Sequence, residues 1–81
     1  MWFKIKINDM KIASKFVNYM KDLKYETILH SGKYSVDAKS ILGVFSLDLD
    51  NVLTLEVVVP QGEVLSQDVI DKINQFACKG E

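Results

Sequence analysis

Asp37-Ala38-Lys39-Ser40-Ile41-Leu42-Gly43-Val44-Phe45-Ser46-Leu47 is the stretch on which the reading of this chain turns. Ser40 is a residue type whose hydroxyl accepts a hydrogen bond from a free amide of the first helical turn. Ile41, Leu42, Val44 and Phe45 follow it directly. The pattern predicts a short helix from about Ser40 to Phe45, too short to bury all four apolar side chains at once and so able to leave some of them exposed. Asp48-Leu49-Asp50-Asn51 then reads as a turn-forming region.

Before this helix, Tyr25 to Leu29 and Lys33 to Val36 read as two strands joined at a Ser31-Gly32 turn, which makes a hairpin. After it, Val52 to Val59 is the most β-rich run of the sequence, with Leu53, Leu55, Val57 and Val59 expected to face the core. Pro60 and Gly62 end that strand, because proline cannot donate to a ladder and glycine suits a tight bend. Near the start, Trp2 to Ile7 alternates: Phe3, Ile5 and Ile7 on one face, Lys4 and Lys6 on the other, the period of a half-buried strand. Asn8-Asp9 can cap a helix from about Lys11 to Leu23, whose stripe is Ile12, Phe16, Met20 and Leu23 with Ala13 and Val17 beside them. A last helix is predicted from about Leu65 to Cys78, with Leu65, Val69, Ile73, Phe76 and Ala77 on one face and Lys79-Gly80 closing it.

The predicted order is β-α-β-β-α-β-α, an α+β fold: a four-stranded, mainly antiparallel sheet covered on one face by amphipathic helices, an open-faced β-sandwich. With 81 residues and no repeat, linker or low-complexity tract, residues 1–81 read as one domain. The chain is 48% hydrophobic and 26% charged, the balance of an ordinary globular domain. A formal charge of −1, with dispersed lysines, makes no electrostatic case for nucleic acid or an anionic membrane. No apolar stretch approaches the roughly 20 residues of a membrane span, and Met1-Trp2-Phe3-Lys4-Ile5-Lys6 lacks a signal peptide's apolar core. Cys78 is the single cysteine. An internal disulfide is therefore ruled out and a cytoplasmic location is expected.

The segment from Ala38 to Leu47, together with the β-α-β-β-α-β-α order, resembles HPr, the small phosphocarrier of the bacterial phosphoenolpyruvate:sugar phosphotransferase system. The family's comparable stretch runs roughly Lys-Ser-Ile-Met-Gly-Val-Met-Ser-Leu. Ala13-Ser14-Lys15-Phe16-Val17 and the Ser31-Gly32-Lys33 turn align without a gap back from Ser40. The likeness covers most of the chain and weakens in the first ten and last twenty residues. It departs where the family's carrier chemistry sits. HPr-type carriers have Gly-Ile/Leu-His-Ala-Arg-Pro-Ala at the start of the first helix, and the phosphoryl group is held on that histidine. Here the register gives Asp9-Met10-Lys11-Ile12-Ala13, so Asp9 stands in the histidine's place and Lys11 in the arginine's.

By this resemblance Ser40 stands where HPr proteins of low-GC Gram-positive bacteria are phosphorylated by an ATP-dependent kinase; its plain role is a helix cap. Ile41, Leu42 and Phe45 stand where the family docks partner proteins, Leu42 and Phe45 at positions often held by methionine, and otherwise they extend the core. Asp9 can cap the first helix or, as an unusual acceptor, form an acyl phosphate, a chemistry that recruits a divalent metal and further carboxylates. His30, the only histidine, reads as a lone surface residue at a strand end or as a substitute acceptor. Trp2 reads as a sheet-packing or edge residue. Cys78 has no CxxC partner, and no metal or cofactor site is expected.

The expectation is a non-enzymatic, HPr-like regulatory and protein-binding module, similar to the catabolite-repression paralogues of HPr, controlled by phosphate on Ser40. Its implied partners are an HPr-type kinase, a transcription regulator or enzymes of the phosphotransferase system. The alternative is a phosphocarrier using Asp9 or His30. A ligand-binding or purely structural domain is the third reading.

Overall fold

The computed structural model describes residues 1–77; Cys78, Lys79 and Gly80, where the sequence places the end of the last helix, lie outside the described residues. The elements are β1 (Trp2–Ile5), α1 (Met10–Asp22), β2 (Glu26–Ser31), β3 (Tyr34–Asp37), α2 (Ile41–Phe45), β4 (Leu53–Val58) and α3 (Gln67–Asn74). The sheet runs β1-β4-β2-β3 with every neighbouring pair antiparallel. This is the expected open-faced α+β architecture.

Period-two alternation sorts the strands into two faces. Ile5, Leu29, Leu53, Leu55 and Val57 point to one side and are fully buried. They form one core with Ala13, Phe16, Val17 and Met20 of α1, Val44 of α2 and Ile73 of α3. Each large side chain removed from water in this way contributes about 1.5–3 kcal/mol. The opposite face carries Trp2 and Lys4 from β1, Thr54 and Glu56 from β4, Ile28 and His30 from β2, and Ser35 and Asp37 from β3, placed in rows by the register. Among the described residues no helix covers that face.

β1 ends at Ile5 rather than Ile7, and three further boundaries differ from the sequence reading. β2 continues through His30 and Ser31, so the hairpin turn is Gly32-Lys33, with Gly32 at φ 58°, a left-handed conformation that glycine adopts without steric cost. α3 begins at Gln67 rather than Leu65, because Ser66 caps it: its Oγ accepts the Val69 N–H at 3.3 Å. The same helix ends at Asn74 because the chain beyond it is drawn to β1. Lys6 N–H donates to the Phe76 carbonyl at 3.0 Å, Ala77 bridges to Ile5, and the Phe76 ring packs edge-on against Phe16 at 5.3 Å. Sheet-edge pairing replaces the last turn of helix.

Candidate functional site

Ser40 lies at the end of a tightly tied connection. Ala38 N–H donates to the Thr27 carbonyl at 3.1 Å, which extends the β2–β3 ladder by one step. Asp37 then turns the chain: its Oδ1 accepts the Lys39 N–H and its carbonyl the Ser40 N–H, both at 2.9 Å. The Lys39 ammonium reaches across to the Leu23 carbonyl at 2.9 Å and fastens this turn to the C-terminal end of α1. Ser40 itself is exposed and extended (φ −103°, ψ 113°), and its Oγ accepts the Gly43 N–H at 3.2 Å. It is the N-cap that the sequence predicts.

Gly43 is what lets α2 sit so close to β3. A Cβ there would lie 3.2 Å from the Val36 Cβ and 3.3 Å from the Ser40 Oγ. The helix it permits sorts its apolar residues unequally. Val44 is fully buried, Ile41 and Phe45 are half-buried against the core, and Leu42 projects into solvent with 79% of its surface exposed. Of Ile41, Leu42 and Phe45, then, Leu42 alone presents a largely free apolar side chain.

At the start of α1, Asp9 is extended and exposed, and its Oδ1 accepts the Ile12 N–H at 2.9 Å. Lys11 and Met10 are exposed on the first turn. Among the described residues no three His, Cys, Asp or Glu side chains cluster so as to hold a metal ion. Asp9 therefore has the geometry of a helix cap, and the carboxylate cluster that an acyl-phosphate site recruits is missing around it.

His30 is not the lone histidine of the sequence reading. Its Nε2 lies 3.0 Å from Glu56 Oε1, and the Trp2 ring leans on it at 5.5 Å with 34° between the planes. Three strands build this cluster, since β4 pairs with both β1 and β2 and sets Glu56 between Trp2 and Ile28. It occupies the uncovered face, opposite the helices. Asp9 and His30 are thus not brought together: one caps α1, the other sits on the far side of the sheet. Sequence reasoning missed the cluster because its members become neighbours only through strand register. The one signal available was the alternation that puts Trp2, His30 and Glu56 at non-core positions.

No protein-family model matches the chain, and no curated protein sequence matches it. Solved structures do. The crystal structure of HPr-C-His from Thermoanaerobacter tengcongensis superposes with a TM-score of 0.71 at 21% identity, covering 95% of this chain and 88% of that one. The phosphocarrier protein HPr from Bacillus anthracis strain Ames gives a TM-score of 0.69 at 13% identity, covering 96% and 94%. The fold is that of HPr. On the HPr-like frame, Asp9 caps the start of α1 and Ser40 the start of α2, and both caps are exposed. Among the described residues no helix is long and apolar enough to cross a membrane.

Proposed function

We propose that this chain is an HPr-like regulatory and protein-binding module related to the bacterial phosphotransferase system, working in the cytoplasm without relaying phosphate. The observation that carries this reading is the start of α1. The position that the sequence resemblance equates with the carrier histidine is Asp9, whose carboxylate is engaged with the Ile12 amide at 2.9 Å. The single histidine of the chain, His30, is held by Glu56 on the face away from α1. A phosphoimidazole relay is favoured by a ring nitrogen at an anion-stabilising helix start, whereas His30 lies within β2 beside the Glu56 carboxylate.

Regulation in this reading falls to Ser40. Its hydroxyl is exposed to a kinase, and esterification replaces a weak acceptor by a dianion that the free amides of the first turn and the helix dipole favour. Contact falls to α2, where Leu42 leads and Ile41 and Phe45 supply the flanks. The partners would be an HPr-type kinase, a sugar-responsive transcription regulator or phosphotransferase-system enzymes.

Incubation with phosphoenolpyruvate and the first enzyme of the system tests the loss of relay. The protein should take up no label. An acid-labile label removed by His30→Gln, or a hydroxylamine-labile label removed by Asp9→Asn, would establish a phosphocarrier with an unusual acceptor instead.

A further inference from the structure

The two edges of the sheet are finished differently. The outer edge of β1 is partly closed by the chain after α3, through the Lys6–Phe76 hydrogen bond and the Ile5–Ala77 bridge. β3, at the other edge, has β2 as its only strand neighbour among the described residues. Tyr34, Ser35 and Asp37 are exposed along it.

Which backbone groups this edge offers follows from the hairpin. Ser31 and Tyr34 flank the Gly32-Lys33 turn, and the pair closing a two-residue turn is a hydrogen-bonded one. Tyr34 and Val36 therefore spend their backbone groups on β2, and Ala38 continues the series by donating to Thr27. Ser35 and Asp37 point theirs outward. The Asp37 carbonyl accepts the Ser40 N–H, which leaves the Ser35 N–H, the Ser35 C=O and the Asp37 N–H aimed away from the sheet.

An edge of this kind is usually blunted by shortness, proline, a bulge or charged side chains. β3 is short at four residues, but it holds no proline and no bulge interrupts its register with β2. Asp37 at its end and Lys33 in the adjoining turn carry opposite charges and stand two residues either side of Ser35. We propose that β3 is a self-pairing edge whose occupant is β3 of a second copy of this chain, antiparallel about a two-fold axis through Ser35. In that register Ser35 meets Ser35 of the second copy as a hydrogen-bonded pair, the parity that its outward groups require. Tyr34 meets Val36 of the second copy, an aromatic and β-branched pair of the kind that favours strand pairing. Lys33 meets Asp37 of the second copy, whose Oδ1 serves the Lys39 amide and whose Oδ2 has no partner among the described residues. Every contact occurs twice, as an isologous interface demands. Shifting the register by two residues in either direction loses both ion pairs.

Four residues of edge make a small interface, so association belongs to the weak class and is sought by sedimentation velocity from about 10 µM to about 1 mM. A concentration-dependent dimer is expected, with hydrogen-exchange protection gained at the Ser35 and Asp37 amides. Ser35→Pro removes the outward donor without touching the β2 ladder and should leave a folded monomer by circular dichroism. Lys33→Glu, on an exposed turn residue, should weaken the dimer roughly 3- to 30-fold, the sum of two cross-strand pairs. Asp37→Lys should weaken it likewise, and mixing the two variants should restore association, because both ion pairs re-form in the heterodimer. A protein that stays monomeric to about 1 mM, a dimer that survives Ser35→Pro, or protection appearing on β1 instead overturns the proposal. Protection of Ser35 by an added extended peptide while the chain alone stays monomeric overturns it too, and assigns the edge to that peptide.

Discussion

The Oγ of Ser40 accepts the N–H of Gly43 at 3.2 Å, so the residue that is the candidate regulatory site also holds the first turn of α2. Ser40→Ala should therefore cost about 1 kcal/mol of folding stability, the usual worth of such a cap. Ser40→Asp, which keeps an acceptor and adds a charge favoured at a helix start, should retain most of it. Urea denaturation midpoints of the three proteins measure the difference. Equal midpoints for wild type and Ser40→Ala would show that the cap is energetically idle.

Leu42 and Val44 are two positions apart on α2 and separate contact from stability. Leu42 is 79% exposed and Val44 is fully buried. Leu42→Ala should leave the thermal midpoint unchanged and weaken binding to a partner captured by this face. Val44→Ala opens the core and should cost about 1.5–3 kcal/mol. A large stability loss from Leu42→Ala would contradict its placement in solvent.

Trp2 and His30 are the only tryptophan and the only histidine of the chain, and their rings lie 5.5 Å apart. The imidazole packed beside the indole shapes its surroundings, so His30→Gln should shift the Trp2 emission at neutral pH. Identical emission from the wild type and the variant would mean the two rings do not meet.

On the alkaline side two groups act in the same direction. Burial, with the nearby Asp22 and Asp68 charges, raises the Tyr19 phenol above its ordinary 10.0. The hydrogen bond and charge of Glu63 raise Lys24 above its ordinary 10.5. A group whose pKa is higher folded than unfolded keeps its proton longer in the native state, so its contribution is complete below the unfolded value and is lost as the pH rises. Stability should thus decline from about pH 10 upward, and Tyr19→Phe should flatten the decline. Lys24 and Glu63 are 71% and 42% exposed, so removing that pair should change the slope less. Guanidinium unfolding at a series of alkaline pH values reads both effects. A slope unchanged by Tyr19→Phe would count against the phenol's role.

Much of this fold is legible in the sequence because its signals are local. Phe3, Ile5 and Ile7 alternate, Ile12, Phe16 and Met20 recur at helical spacing, and Asp9 and Ser40 are caps by residue type; each element appears close to where these patterns place it. What escaped depends on distant partners. α3 stops at Asn74 because Phe76 and Ala77 pair with β1, a contact some seventy residues away in the chain that helix periodicity cannot register. His30 acquires Glu56 and Trp2 only once three strands are in register. The sorting of α2 into buried Val44, half-buried Phe45 and exposed Leu42 depends on how closely Gly43 lets that helix approach Val36. The spacing of those residues alone leaves the choice open.

The central claim is that Ser40, and no histidine relay, is where phosphate acts on this protein. Incubation with ATP and an HPr-type kinase, followed by mass-spectrometric mapping of the phosphopeptides, tests it most directly. The account predicts a single phosphate, on Ser40, absent from Ser40→Ala. A protein that stays unmodified, or that carries its phosphate at another residue, would contradict it.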